Sequence, residues 1–212
     1  MSNLKQIWHA LWMYTEDHDG WLLPSNTPYP TTDGTGFGSR PWYELLGKWG
    51  PGSILDYGVY ICTPGSSYDL LIKRGKHKLY CPTDARRFLY INYVINIYLV
   101  GSYSTTSGVP FTQPDPTYGP YLKKINKVRN PSVAIWVFDA GDPTNMGRGT
   151  SLTYYHPSGQ NCFRHINDIC NILYVDGHVE GRTAASFGIK KGTGSYDPLK
   201  RGFVLPDGTY NP

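Results

Sequence analysis

Three groups of residues in this 212-residue chain have types and spacings that do chemistry. The first is Asp139-Ala140-Gly141-Asp142-Pro143-Thr144-Asn145, where Asp139, Asp142 and Asn145 offer oxygen ligands just after an apolar run. Clustered carboxylates and carbonyls are the ligands calcium takes, so calcium is the metal expected there, if any. The second is His165, Asp176 and His178, an acid/base or metal set if the fold brings the three together. The competing expectation is structural, and it is preferred. An aspartate ahead of glycine is what a tight turn needs, and His165 and Asp176 would fix a hairpin through hydrogen bonds. The third is the set of four cysteines, Cys62, Cys81, Cys162 and Cys170. They contain no Cys-x-x-Cys pair, which argues against a zinc ribbon. Their spacing allows two local disulfides, Cys62 with Cys81 and Cys162 with Cys170, but all three connectivities stay open. Export would favour at least one bridge.

Motifs of the common catalytic scaffolds are missing. The chain has no Gly-x-Ser-x-Gly elbow, no His-Glu-x-x-His, no P-loop and no dinucleotide fingerprint, so a non-enzymatic protein is expected. The formal charge of +4 is spread out. Its densest run is Lys73, Arg74, Lys76 and Lys78 around His77, which reads as a solvated loop with no nucleic-acid partner. Tyr118, Tyr121, Tyr154 and Tyr155 sit in loop-like sequence. Such rings offer stacking faces for sugars, and an extracellular polysaccharide-binding module is the alternative function.

The elements that must position these groups are legible in part. Leu4, Ile7, Trp8, Leu11 and Thr15 recur at helical spacing, with Trp12 and Tyr14 flanking them and Gly20 able to take a left-handed cap. Residues 2–19 are therefore an amphipathic helix with an aromatic face. Residues 20–40 are rich in proline and glycine and read as a loop. Residues 41–49 read as a short helix with proline at its first turn. Short strands are expected around Tyr57–Cys62 and Leu79–Cys81. Residues 88–100 are β-branched and aromatic and read as a strand. Residues 101–121 form a long Ser/Thr/Pro/Gly loop. Val133-Ala134-Ile135-Trp136-Val137-Phe138 reads as a buried central strand. Asn171-Ile172-Leu173-Tyr174-Val175, then Asp176-Gly177, then His178-Val179-Glu180 predicts a hairpin with a two-residue type I′ turn. Phe163-Arg164-His165-Ile166 leads into Asn167-Asp168, a second candidate turn, so a three-strand meander is expected. Asp207-Gly208 marks a further turn in an otherwise irregular tail, 183–212.

Charged residues make up only 17% of the chain, while tyrosine (18), tryptophan (6), glycine (24) and proline (17) are abundant. That composition belongs to a folded, loop-rich protein and not to a disordered one. The length suits a single domain, 1–212, with its main sheet in 88–182. The fold class expected is α+β, an N-terminal amphipathic helix packed on an antiparallel sheet.

Four segments carry a resemblance. Ser2-Asn3-Leu4-Lys5-Gln6-Ile7, with Met13-Tyr14 and Glu16-Asp17-His18-Asp19-Gly20, resembles the segment after the transmembrane helix in type IV pilin-like proteins, or pseudopilins. Cys81-Pro82-Thr83-Asp84 is similar to a Cys-Pro-Ser-Asp step of that group. Lys124-Ile125, Asn130-Pro131-Ser132 and Phe138-Asp139-Ala140 resemble its Ile-x-x-Pro-Ser…Phe-Ala-Asp strand. Arg164-His165 and Asn171 through Asp176-Gly177-His178-Val179 resemble its signature of His, nine residues, then Asp-Gly. Here ten residues intervene, which calls for a bulge or a longer turn. The resemblance implies a non-catalytic subunit of an extracytoplasmic filament or type II secretion pseudopilus. Its partners would be other pilin-like subunits and the secretion or pilus machinery. The whole protein would be anchored in the inner membrane by a hydrophobic first half of the helix that these residues do not include, and Met1 would not be its natural start. The family also implies a calcium ion in a C-terminal loop.

Overall fold

A computed structural model describes residues 2–30, 37–46, 57–59, 92–103, 122–139, 148–149, 162–189, 197–205 and 207–212. The first element is a helix, α1 (Ser2–Asp17). Neither an acidic residue in its first turn nor a basic residue in its last offsets its dipole. Packing has to hold it, as it does most helices of this length. Leu4, Ile7, Ala10, Leu11, Tyr14 and Thr15 are buried along one face. Each fully buried Leu or Ile contributes about 1.5–3 kcal/mol. Trp8, expected on that stripe, lies at its margin and is half-buried. Asp19 (φ 51°) and Gly20 (φ 80°) stop the helix by turning left-handed, and Gly20 N–H donates to Thr15 O at 2.9 Å.

The main sheet has five strands: β3 (Tyr93–Asn96), β4 (Ile135–Asp139), β5 (Arg148–Gly149), β6 (Ile169–Tyr174) and β7 (Val179–Thr183). Their order is β5-β3-β4-β6-β7, antiparallel except for the short parallel edge pair β3–β5. Every residue of β4 is buried, as its unbroken apolar run requires. One face of the sheet presents Tyr93, Ile95, Trp136, Val137, Leu173 and Val175 to the cluster that contains the α1 stripe. The other face presents Val94, Ile135, Phe138, Cys170, Ile172 and Tyr174 to Phe163, Phe187 and Leu199. Register slips between Ile135 and Val137, so the adjacent Trp136 and Val137 both serve the α1-side cluster. The architecture is the expected α+β.

Several segments differ from the sequence-based expectation. Within 20–40 the chain forms an antiparallel hairpin, β1 (Asn26–Pro30) with β2 (Phe37–Pro41), paired Asn26 to Pro41 and Pro30 to Phe37. In a two-stranded ribbon both strands are edges, where proline's missing N–H is tolerated. α2 (Trp42–Leu45) follows, with Pro41 at its start. The expected strand over 88–100 stops at Asn96 and becomes α3 (Ile97–Val100). Asn96 is wholly buried and fully used. Its Oδ1 accepts from Tyr98 N–H at 3.1 Å, and its Nδ2 donates to Ile135 O (2.8 Å) and Leu199 O (2.6 Å). The cap ends the strand. The tail carries 3-10 turns at Ala185–Phe187 and Asp197–Lys200, then a hairpin of β8 (Phe203–Val204) and β9 (Tyr210–Asn211). Tyr57–Val59 forms no strand; Tyr57 N–H and Val59 N–H instead donate to Leu46 O. The rest of Tyr57–Cys62, the segment Leu79–Cys81 and most of the 101–121 loop lie outside the described residues. Among the described residues no helix is long and apolar enough to cross a membrane.

Candidate functional site

The candidate residues gather at the two ends of β6. At its start stands Asp139, the last residue of β4 and fully buried. Its Oδ1 accepts from Arg164 at 3.3 Å, and its Oδ2 accepts from Asn171 N–H at 2.6 Å and lies 2.9 Å from His165 Nε2. The same Arg164 nitrogen donates to Asn92 O at 2.7 Å. Arg164 and His165 are placed by the turn at 166–168. There Asn167 (φ 64°) and Asp168 (φ 53°) both adopt the left-handed region, and His165 N–H donates to Ile169 O at 3.1 Å. Asn and Asp tolerate that region better than other side chains do. A buried carboxylate is stable only when paired and hydrogen-bonded, and here a guanidinium, an imidazole and a backbone N–H supply that. The cluster joins β4, β6 and Asn92, the residue just before β3.

At the other end of β6 the chain reverses through Asp176-Gly177. Gly177 N–H donates to Tyr174 O and Tyr174 N–H to His178 O, both at 3.0 Å, and Gly177 alone is left-handed (φ 87°). This is a three-residue loop with a left-handed glycine bulge, not the expected two-residue type I′ turn. The pair of consecutive left-handed residues that type I′ would need occurs instead at Asn167-Asp168. Asp176 Oδ1 accepts from His178 N–H (3.0 Å) and lies 2.6 Å from His178 Nδ1, and the His178 ring stacks on Tyr174 at 4.1 Å.

Helix α1 is latched onto this turn. Trp8 Nε1 donates to Val175 O at 3.0 Å, and Lys5 Nζ donates to Gly177 O at 2.5 Å. A Cβ built on Gly177 would stand 2.6 Å from Trp8 Cε2, so the indole lies directly against the glycine.

Several expected site residues do not meet. His165 pairs with Asp139 and Asp176 pairs with His178. The six residues of β6, roughly 20 Å of strand, separate the two pairs. His165 and Asp176 therefore do not fix one hairpin jointly, and His165, Asp176 and His178 do not converge as an acid/base or metal set. Of the expected calcium ligands, Asp142 and Asn145 lie outside the described residues, while both oxygens of Asp139 are engaged by nitrogen groups. Among the described residues no three His, Cys, Asp or Glu side chains form a metal-holding group. Cys162 and Cys170 are buried thiols in one cluster, and Cys62 and Cys81 lie outside the described residues. So do Cys81-Pro82-Thr83-Asp84, the basic run at 73–78, and Tyr118, Tyr121, Tyr154 and Tyr155.

Sequence reasoning missed two cations. Lys5 was one polar position among several on α1, and nothing local marks it as the one facing Gly177. Lys123 is buried, donates to Val204 O at 3.0 Å and stands 4.3 Å from the centre of the Phe203 ring. Burial lowers its amine to about 8. Its partners lie some eighty residues away, and no short-range pattern reports them. Set against protein-family models, curated proteins and solved structures, the chain matches none.

Proposed function

We propose that this chain is the globular part of a pilin-like subunit, a non-catalytic building block of an extracytoplasmic filament or type II secretion pseudopilus. One observation carries the reading: segments that resemble the pilin-like group, far apart in sequence, meet in two compact contacts. Lys5 and Trp8 of the N-terminal segment hold the Asp176-Gly177 turn of the C-terminal signature. Asp139, the middle residue of the Phe-Asp-Ala match, holds Arg164 and His165 of the same signature. The resembling residues thus work as a single framework, with a helix clamped on a sheet by its own hairpin. A rigid body of this kind suits a packing unit.

The test is the natural reading frame upstream of the Ser2 codon. The expected result is a prepilin peptidase site followed by about 20 apolar residues continuous with α1. A stop codon, or a polar leader without that run, overturns the reading.

A further inference from the structure

Cys162 and Cys170 flank the turn that presents Arg164 and His165 to Asp139. Both are buried, at 2% and 0% exposure, in the cluster on the sheet face away from α1. The antiparallel bridge between His165 and Ile169 folds the chain back between them, so the two cysteines lie on adjoining segments that feed one buried apolar cluster. Burial raises the Cys170 thiol well above its ordinary range. The negative charge of Asp139, and that of Cys162 when ionised, act in the same direction.

We propose that Cys162 and Cys170 are a disulfide site: oxidised, they form a staple across residues 163–169 that holds Arg164 and His165 against Asp139. The oxidant is a dithiol–disulfide carrier or a small disulfide such as oxidised glutathione. One cysteine, as thiolate, attacks a sulfur of that disulfide and releases one thiol; the second cysteine then displaces the other. Two protein thiols become one disulfide, one external disulfide becomes two thiols, and the two protons pass to the released thiolates. In the folded protein both sulfurs are shielded and Cys170 stays protonated. The bridge therefore forms as the chain folds, and the native dithiol oxidises slowly. The setting in the cell rests on the extracytoplasmic reading above, because that is where such oxidants persist.

The experiment is refolding of the reduced, purified chain in a glutathione redox buffer, followed by alkylation and trypsin digestion without reduction. Cleavage after Arg148, Arg164 and Arg182 leaves Cys162 in the peptide 149–164 and Cys170 in the peptide 165–182. The expected product is these two peptides joined, two hydrogens lighter than their sum and separable by reduction. Oxidised glutathione added to the already folded dithiol should yield the same species at least tenfold more slowly. Recovery of both peptides as alkylated thiols overturns the proposal, and so does their linkage to peptides carrying Cys62 or Cys81. A Cys162→Ser variant that folds by circular dichroism should leave Cys170 alkylated; Cys170 paired elsewhere in that variant also counts against the site. The chemistry is read in vitro, so it stands apart from location. The linked peptides obtained on refolding, but only free thiols in protein isolated from cells, would support the site and overturn the extracytoplasmic reading.

Discussion

At Asp176-Gly177 and again at Asp207-Gly208 the chain reverses in the same way. In each turn the glycine is left-handed, at φ 87° and φ 85°, and its N–H donates to the carbonyl three residues back, Tyr174 O or Leu205 O. In each the aspartate Oδ1 accepts from the N–H two residues on, His178 at 3.0 Å or Thr209 at 2.9 Å. The local chemistry is shared, and the surroundings are not. Gly177 lies under the Trp8 indole and receives Lys5, whereas a Cβ on Gly208 would meet nothing within 4 Å. One turn is a docking surface for α1; the other closes a surface hairpin. An Asp-Gly step thus fixes how the backbone turns and leaves open what the turn is for.

The largest expected effect tests that contrast directly. Gly177→Ala adds a methyl at 2.6 Å from Trp8 Cε2 in a left-handed backbone. Strain of about 1–2 kcal/mol and overpacking of about 1–3 kcal/mol should together lower stability by about 3 kcal/mol in urea unfolding. Gly208→Ala meets only the backbone term and should cost about 1–2 kcal/mol. Equal losses at the two glycines would break the comparison. Next in size is the coupling. In a Trp8→Ala background the Gly177→Ala penalty should fall to that of Gly208→Ala, a non-additivity of about 1–2 kcal/mol in a double-mutant cycle. Strict additivity would mean that Trp8 does not press on the turn.

The two hairpins should also separate by pH. Lys123 is held against the tail hairpin by Val204 O and Phe203, and burial lowers it from 10.5 to about 8. Between those values the unfolded chain binds a proton that the folded chain has released, so stability rises with pH across that window. Lys123→Met should abolish the rise. Tyr174, at the base of the first turn, is raised from 10.0 to about 12, chiefly by burial. Its contribution is complete below pH 10 and is lost as pH climbs toward 12. Tyr14 on α1, raised to about 12 for the same first reason, adds to that fall. A urea midpoint that peaks near pH 10 checks both signs. The smallest effect belongs to Asp207, held below the usual carboxylate range by the Thr209 hydroxyl and N–H. It should give a slight loss of stability as pH falls through that lowered value, and Asp207→Ala should remove it.

How much of this was legible depends on the range of the forces. The 3.6-residue spacing of Leu4, Ile7 and Leu11 and the left-handed stop at Gly20 mark α1, because both follow from helix geometry. The uninterrupted Val133–Phe138 run marks β4, because only a strand covered on both faces is apolar throughout. Both Asp-Gly turns were visible, yet the turn type at Asp176-Gly177 was not. Whether aspartate itself goes left-handed depends on how β6 and β7 pair across the turn, here through Tyr174 N–H to His178 O, and that pairing is not written in the Asp-Gly step. The strand expected through residue 100 stops at Asn96 because that side chain finds Ile135 O and Leu199 O, partners 39 and 103 residues away. Proline blurred β1, whose ladder depends on a partner strand and not on its own propensity.

By itself, then, the sequence determined the class of fold, the helix, the central strand and the places where the chain turns, since periodicity and turn chemistry act over a few residues. Only the tertiary structure decided that Asp139 takes Arg164 and His165 for partners, that Asp176 keeps to His178, that Trp8 rests on Gly177 and that Lys123 is buried. Those choices are made by the desolvation of polar groups and the contact of side chains brought together from distant parts of the chain, and no local pattern encodes which distant groups will meet.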